Sequence, residues 1–217
     1  STLNSVEINS STFDNGIIVI PNLALGSVSL PENEKISFVS SDHNNFLFIG
    51  SNLGNIYSYS ISDSKLKRIQ FNNLERPIEF IDYWKENQTL FYTSSGGYSH
   101  SLWNGESMSQ TELKSGSLKN AYFTDDKKGF LAFNYGISEI SKSRKSYEVN
   151  YVHQLQKRAH CVARNEVTGV VYAGLSDGLR LMSASGEVIK NGQLQNTLFP
   201  TSICSHGNYV YVGTDDN

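Results

Sequence analysis

The sequence predicts an all-β fold assembled from repeated sheets, and three observations predict it. Aromatic residues make up 12% of the 217 residues, with 12 Tyr and 11 Phe, and such side chains fit half-buried pleated strands. Five segments share one layout: an apolar strand, a polar turn, a second apolar strand, then a small-residue turn containing glycine. Those segments recur at a period near 40 residues, the mark of a repeat architecture.

The five segments are 36–50, 80–93, 121–133, 161–174 and 202–213. The residues closing their second strands, Gly50, Thr93, Phe133, Gly174 and Gly213, are separated by 43, 40, 41 and 39 positions. A second set of glycines, Gly54, Gly97, Gly136 and Gly178, is separated by 43, 39 and 42. Two independent markers therefore hold one period. Gly16 stands 38 residues before Gly54 and precedes Ile17-Ile18-Val19-Ile20, which reads as the back half of an earlier unit.

Each unit parses as four strands. In the clearest one they are 160–164, 170–174, 179–183 and 187–190. The connections hold Asp, Asn and Gly, as in Asp42-His43-Asn44-Asn45 and Ser183-Ala184-Ser185-Gly186. These residues tolerate the positive φ of tight hairpins. Glycine after the second strand is expected to serve that need, because it has no Cβ. Four short antiparallel strands repeated at this interval predict the blades of a β-propeller, with about five present. The units fall at 1–34 (partial), 35–75, 76–116, 117–156, 157–197 and 198–217 (partial) of a single domain. Two arrangements fit: an arc of a larger propeller, or a five-bladed ring closed by the two partial units. The stretch 151–159 is mildly helical and is expected to be a long loop.

Bulk properties exclude several classes. Hydrophobic residues make up 38% and charged residues 18%, unlike a disordered chain. Net charge is −3, without the basic footprint of a nucleic-acid binder. No run of 18 apolar residues suggests a membrane span, and no leader peptide is visible. Cys161 and Cys204 lack metal-ligand spacing and are expected to be buried, unpaired thiols on opposite faces of their strands. No cofactor is implied.

The repeats resemble a known family. Val171-Tyr-Ala-Gly-Leu-Ser-Asp-Gly-Leu-Arg-Leu181 and Val210-Tyr-Val-Gly-Thr-Asp-Asp-Asn217 are similar to the two-component regulator propeller repeat. The units ending at Thr93 and Phe133 depart from that pattern, because both lack glycine at the first marker. The resemblance implies the periplasmic sensor region of a bacterial hybrid two-component regulator. It further implies a ligand of glycan-fragment type and neighbouring domains in the same polypeptide.

No nucleophile elbow (Gly-x-Ser-x-Gly) and no His-Glu-x-x-His motif occurs, so binding rather than catalysis is expected. Propellers bind at the face that carries the loops linking strands two and three and those linking successive blades. The first loop set collects Asn52, Tyr98, Asn134, Tyr135, Ser176 and Asp177. The second collects Asn73, Arg76, His153, Arg158, His160 and Phe199. From these, Asn73, Arg76, Tyr98, Tyr135, His153, Arg158, His160, Asp177 and Phe199 are the candidate ligand-binding residues. Tyr, Asn, Arg and His suit an oligosaccharide or other small polar ligand. Trp84 and Trp103 are expected to pack between neighbouring sheets. The rival reading is a protein-interaction scaffold of WD-repeat or Kelch type, although the Trp-Asp dipeptide of WD repeats is absent. A polysaccharide-cleaving propeller is less favoured, since no convergent set of polar residues in the central channel can be assembled from sequence.

Overall fold

A computed structural model describes residues 17–19, 26–31, 33–69, 76–94, 97–106, 114–115, 118–124, 128–134, 136–142, 147–154, 157–183, 187–192 and 199–215. The described chain is all-β. Two short strands, β1 (Ile17–Val19) and β2 (Gly26–Val28), pair as a hairpin. Next comes a four-stranded antiparallel sheet of β3 (Ile36–Ser41), β4 (Phe46–Ser51), β5 (Ile56–Ser60) and β6 (Lys65–Arg68) in chain order. The second such sheet holds β7 (Ile78–Trp84), β8 (Thr89–Ser94), β9 (Gly97–Leu102) and β10 (Lys114–Ser115). The third holds β11 (Leu118–Phe123), β12 (Lys128–Phe133), β13 (Gly136–Lys142) and β14 (Tyr147–Gln154). The fourth holds β15 (Ala159–Arg164), β16 (Val171–Leu175), β17 (Gly178–Met182) and β18 (Val188–Gly192). A final pair, β19 (Pro200–His206) with β20 (Tyr209–Thr214), forms a two-stranded sheet. These meandering four-stranded sheets are propeller blades.

The chain divides into two compact units, 1–95 with 99–113, and 96–98 with 114–217. In the first, β7 packs on β3 and β4. The core there joins Phe48, Ile56, Ile78, Ile81, Leu90 and Trp103. Trp103 meets Phe46 and Phe48 edge-on, at 5.5 and 5.4 Å between ring centroids, a geometry that adds about 0.5–1.5 kcal/mol per pair beyond burial. Trp84 is buried as well. In the second unit β15 packs on β11 and β12, and β19 on β15 and β16. Its core holds Phe130, Ala132, Ile137, Ala159, Val162, Val171 and Met182.

One irregularity recurs in all five strand-one/strand-two pairs. The register slips by a residue after Ile36, Ile78, Leu118, Ala159 and Pro200. Each slip is a β-bulge that adds one residue to strand one: Ser37, Glu79, Lys119, His160 and Thr201. This register also equates Ala132, not Phe133, with Gly50, Thr93, Gly174 and Gly213. The marker expected at Phe133 is therefore one residue late, because Phe133 pairs across the bulge with Leu118.

The two sets of glycines serve different purposes. Gly54 and Gly178 adopt φ of 82° and 125°, the conformational role expected of turn glycine. The first-marker glycines instead make room. A Cβ on Gly50 would lie 2.6 Å from the Cβ of Ile78, the residue opening the next blade. A Cβ on Gly174 would collide with Cys161 Sγ and approach Pro200 Cβ to 2.7 Å. Pro200 opens its blade as Ile78 does.

Two expectations need correction. The 151–159 stretch is not a long loop, since 151–154 completes β14, paired with β13 through Glu139↔Tyr151 and Gly136↔Gln154. Cys161 is buried, but Cys204 is exposed. Both thiols are free, as expected. The register equates Cys161 with Ser202 and Cys204 with Ala163, so the two cysteines sit at positions two apart, on one strand face rather than on opposite ones. Among the described residues nothing covers β19 in the way that β19 covers β15.

Candidate functional site

The loop-bearing end of three blades is tied by one repeated hydrogen bond. The N–H of the residue that begins the strand-two/strand-three turn donates to the carbonyl of the residue leading into strand one. Asn52 N donates to Lys35 O at 2.9 Å, Ser176 N to Arg158 O at 3.1 Å, and Asp215 N to Phe199 O at 3.1 Å. Lys35 N returns a bond to Asn52 Oδ1 at 2.7 Å. The two loop sets anticipated from sequence are thus joined, one from each set, at this end of three blades.

In the first unit this end is braced by Glu34, whose Oε1 accepts from Asn55 Nδ2 at 2.8 Å and from Tyr57 OH at 2.7 Å. Burial pushes the Glu34 carboxyl upward, but hydrogen bonds from Ser51, Tyr57 and Asn55 and the Arg68 charge outweigh it and hold the carboxyl below its ordinary range. Burial, with the Glu34 carboxylate beside it, pushes the Tyr57 phenol up to about 12.

The expected residues distribute unevenly. Asn73 and Tyr135 lie outside the described residues. Tyr98 and His153 belong to β9 and β14 rather than to loops, paired with Lys114 and Ile137, and their side chains lie outside what is described. Arg76 is exposed just before β7, and Arg158 is exposed just before β15. Phe199 is 46% exposed. Asp177 forms an ion pair with Arg180 at 3.1 Å. Arg158, Ser176, Asp177 and Phe199 thus gather at one end of two adjacent sheets of the second unit.

His160 belongs to the strand read over 160–164 and not to the loop set in which it was also counted. It is the bulged residue of β15, half-buried, not a member of the inter-blade loop. Its counterpart one blade earlier is Lys119. Asn120 Oδ1 accepts from Val162 N at 3.1 Å, which fixes β11 against β15 and sets the two bulges side by side. Burial lowers the His160 pKa, and the charges of Arg158 and Lys119 lower it further. Bulges commonly re-aim a side chain beside functional sites. Here they supply one polar residue per blade: Ser37, Glu79, Lys119, His160 and Thr201. Apart from His160 these went unnoticed in the sequence. Their mutual spacing of 42, 40, 41 and 41 residues is the signal that could have found them. Among the described residues no three of His, Cys, Asp or Glu converge as a metal site.

No family model matches the chain, and no curated protein does. Solved structures do. The β-propeller domain of Myceliophteria thermophila Cps50 (Swd1) superposes with a TM-score of 0.68 at 11% identity, covering 85% of this chain and 63% of that one. The extracellular domain assigned to the hybrid two component system BT4673 of B. thetaiotaomicron gives 0.66 at 14% identity, covering 93% of this chain and 29% of that one. Virginiamycin B lyase from Staphylococcus aureus gives 0.69 at 12% identity, covering 87% and 67%. At such identities the likeness establishes the fold alone: the chain is built of β-propeller blades. It spans between 29% and 67% of the length of these three proteins.

Proposed function

We propose that this chain is a non-enzymatic, ligand-sensing portion of the extracytoplasmic region of a bacterial two-component regulator, and that its ligand is an oligosaccharide. The observation that carries the reading is the repeated bond that joins strand-one leader to turn, Ser176 to Arg158 in one blade and Asp215 to Phe199 in the next, at the same end of two packed blades. Polar and charged groups next to an exposed ring suit a hydroxylated ligand with an apolar face. The sequence resemblance around Gly174 supports the regulator assignment and a periplasmic location. So does the likeness of fold to the BT4673 domain over nearly the whole chain. No helix among the described residues is long and apolar enough to cross a membrane.

Calorimetric titration of the chain with a panel of soluble oligosaccharides tests the proposal. Saturable binding weakened by Arg158→Ala is expected. If no glycan binds while the chain captures a defined protein partner, the sensor reading is wrong and the scaffold reading takes its place. That alternative is favoured by the likeness to the Cps50 (Swd1) propeller and to a chain of the mitotic checkpoint complex (TM-score 0.67).

A further inference from the structure

The sensor reading leaves open what kind of oligosaccharide the second unit would take. The bulge pair bears on it. Lys119 and His160 occupy the same position in consecutive blades, each extruded from its ladder by one residue. The Asn120–Val162 hydrogen bond holds their strands together. Arg158, two residues before His160, is exposed at the same end, tied through its carbonyl to Ser176. Asp177, the acid of that turn, is engaged by Arg180.

We propose that Lys119, His160 and Arg158 form an anion-binding subsite that takes the carboxylate or sulfate group of an acidic oligosaccharide. This rests on the sensor reading above and narrows its ligand from glycans in general to charged ones. The chemistry follows from the residue types. Lys supplies an ammonium with three donors, Arg a planar fork matched to two oxygens of one anion, and His a ring N–H donor. Charge-assisted bonds of this kind are shorter and about twice as strong as neutral ones. The lowered His160 pKa fits the arrangement: burial lowers it most, two fixed cations further disfavour a positive charge on the ring, and an arriving anion relieves that repulsion.

The test follows the His160 imidazole by NMR across pH 5–8, with sulfate and with galacturonate as separate additions at constant ionic strength. In wild type each productive anion raises the His160 pKa, and His206, exposed on β19, serves as the internal control. Lys119→Gln is expected to weaken anion binding roughly ten-fold or more while leaving the far-UV spectrum unchanged. Arg158→Gln repeats the measurement with an exposed residue whose loss spares the fold. A second arm titrates oligogalacturonate, a sulfated oligosaccharide and a neutral oligosaccharide of equal length. Tighter binding of one acidic oligomer than of the neutral one identifies which anion is read. A His160 pKa indifferent to both anions overturns the inference, even if neutral glycans bind and the sensor reading stands. An anion-linked shift without binding of any oligosaccharide leaves a small-anion site and overturns the sensor reading instead.

Discussion

Asn165 Nδ2 donates to the carbonyl oxygen of Gly207, 42 residues further along the chain, at 2.9 Å. The separation is the repeat period itself. Other bonds share it: Ser37 Oγ to Ile78 O, Ser40 Oγ to Asp82 Oδ1, and Val162 N to Asn120 Oδ1 span 41, 42 and 42 residues. Neighbouring blades are thus clasped by polar groups at equivalent places, in addition to their apolar packing. Asn165 carries two tasks, since its Oδ1 also accepts from Val167 N and Thr168 N at 3.1 and 2.9 Å. It is 1% exposed. Asn165→Ala removes bonds to Val167 N, Thr168 N and the Gly207 carbonyl, whose residues water reaches, and is expected to cost about 1–2 kcal/mol in denaturant unfolding. A loss below about 0.5 kcal/mol would show that the clasp contributes nothing.

The Gly50–Ile78 contact predicts a coupled pair of substitutions. Gly50→Ala places a methyl group 2.6 Å from the Ile78 side chain and is expected to destabilise by about 1–3 kcal/mol. Ile78→Ala alone leaves a cavity and costs about 2–5 kcal/mol. Together they recreate what the chain already has elsewhere, where Ala132 and Ala159 stand at the equivalent positions in one buried cluster. The double variant is therefore expected to be no less stable than Ile78→Ala. Strict additivity in the double-mutant cycle would refute the steric account.

Stability is expected to fall with rising pH in the mildly acidic range. Burial raises the Asp82 carboxyl to about 6, against the opposing hydrogen bonds from Tyr83 N–H and Ser40 and the His43 charge. The folded protein therefore holds this proton more tightly than the unfolded chain does. The contribution is complete below the ordinary value of 3.8 and is lost as pH rises through about 6. Its ceiling is about 3 kcal/mol at 1.36 kcal/mol per pKa unit. Asp82→Asn retains an acceptor for Tyr83 N–H and should flatten the decline measured between pH 4 and 7.

Thiol accessibility separates the two cysteines. Burial pushes the Cys161 thiol up to about 12, opposed by a hydrogen bond from the Gly174 backbone, and Cys204 is exposed. Reactivity follows the thiolate and its access. A disulfide reagent at pH 8 should modify one thiol per native chain and two in denaturant. Cys204→Ser should abolish the native reaction. Two fast native thiols would contradict the packing of Cys161 against Pro200.

The blade architecture was legible because hairpin meanders write it locally. Strands alternate with Asp, Asn and Gly turns at fixed intervals, and no long-range pairing has to be guessed. The bulges were not legible, because a bulge is a property of two strands in register and neither strand shows it alone. That is why Phe133, which does close β12, was aligned with Gly50 in place of Ala132, and why Lys119 looked like one scattered lysine. His160 was placed at the start of its strand, but its bulge was not visible. The end of β14 was missed for another reason. Val152-His153-Gln154 carries too few apolar residues to signal a strand, and pairing with β13 outweighs that weak local preference. The spatial reason for Gly50 needed the neighbouring blade, since the obstruction comes from Ile78, and that for Gly174 needed both its own cross-strand partner Cys161 and Pro200 of the next blade.

The seam between blades bears on how such a chain can change its number of units. The space left by Gly174 is filled by Pro200, that left by Gly50 by Ile78, and a second alanine stands at the position facing Ala132. A unit whose second strand carries the glycine, spliced ahead of Ala159, would leave a void, whereas one whose second strand carries Ala132, spliced ahead of Ile78, would clash. Duplications that survive should therefore carry a junction, meaning the second strand of one blade together with the start of the next, as the inherited piece.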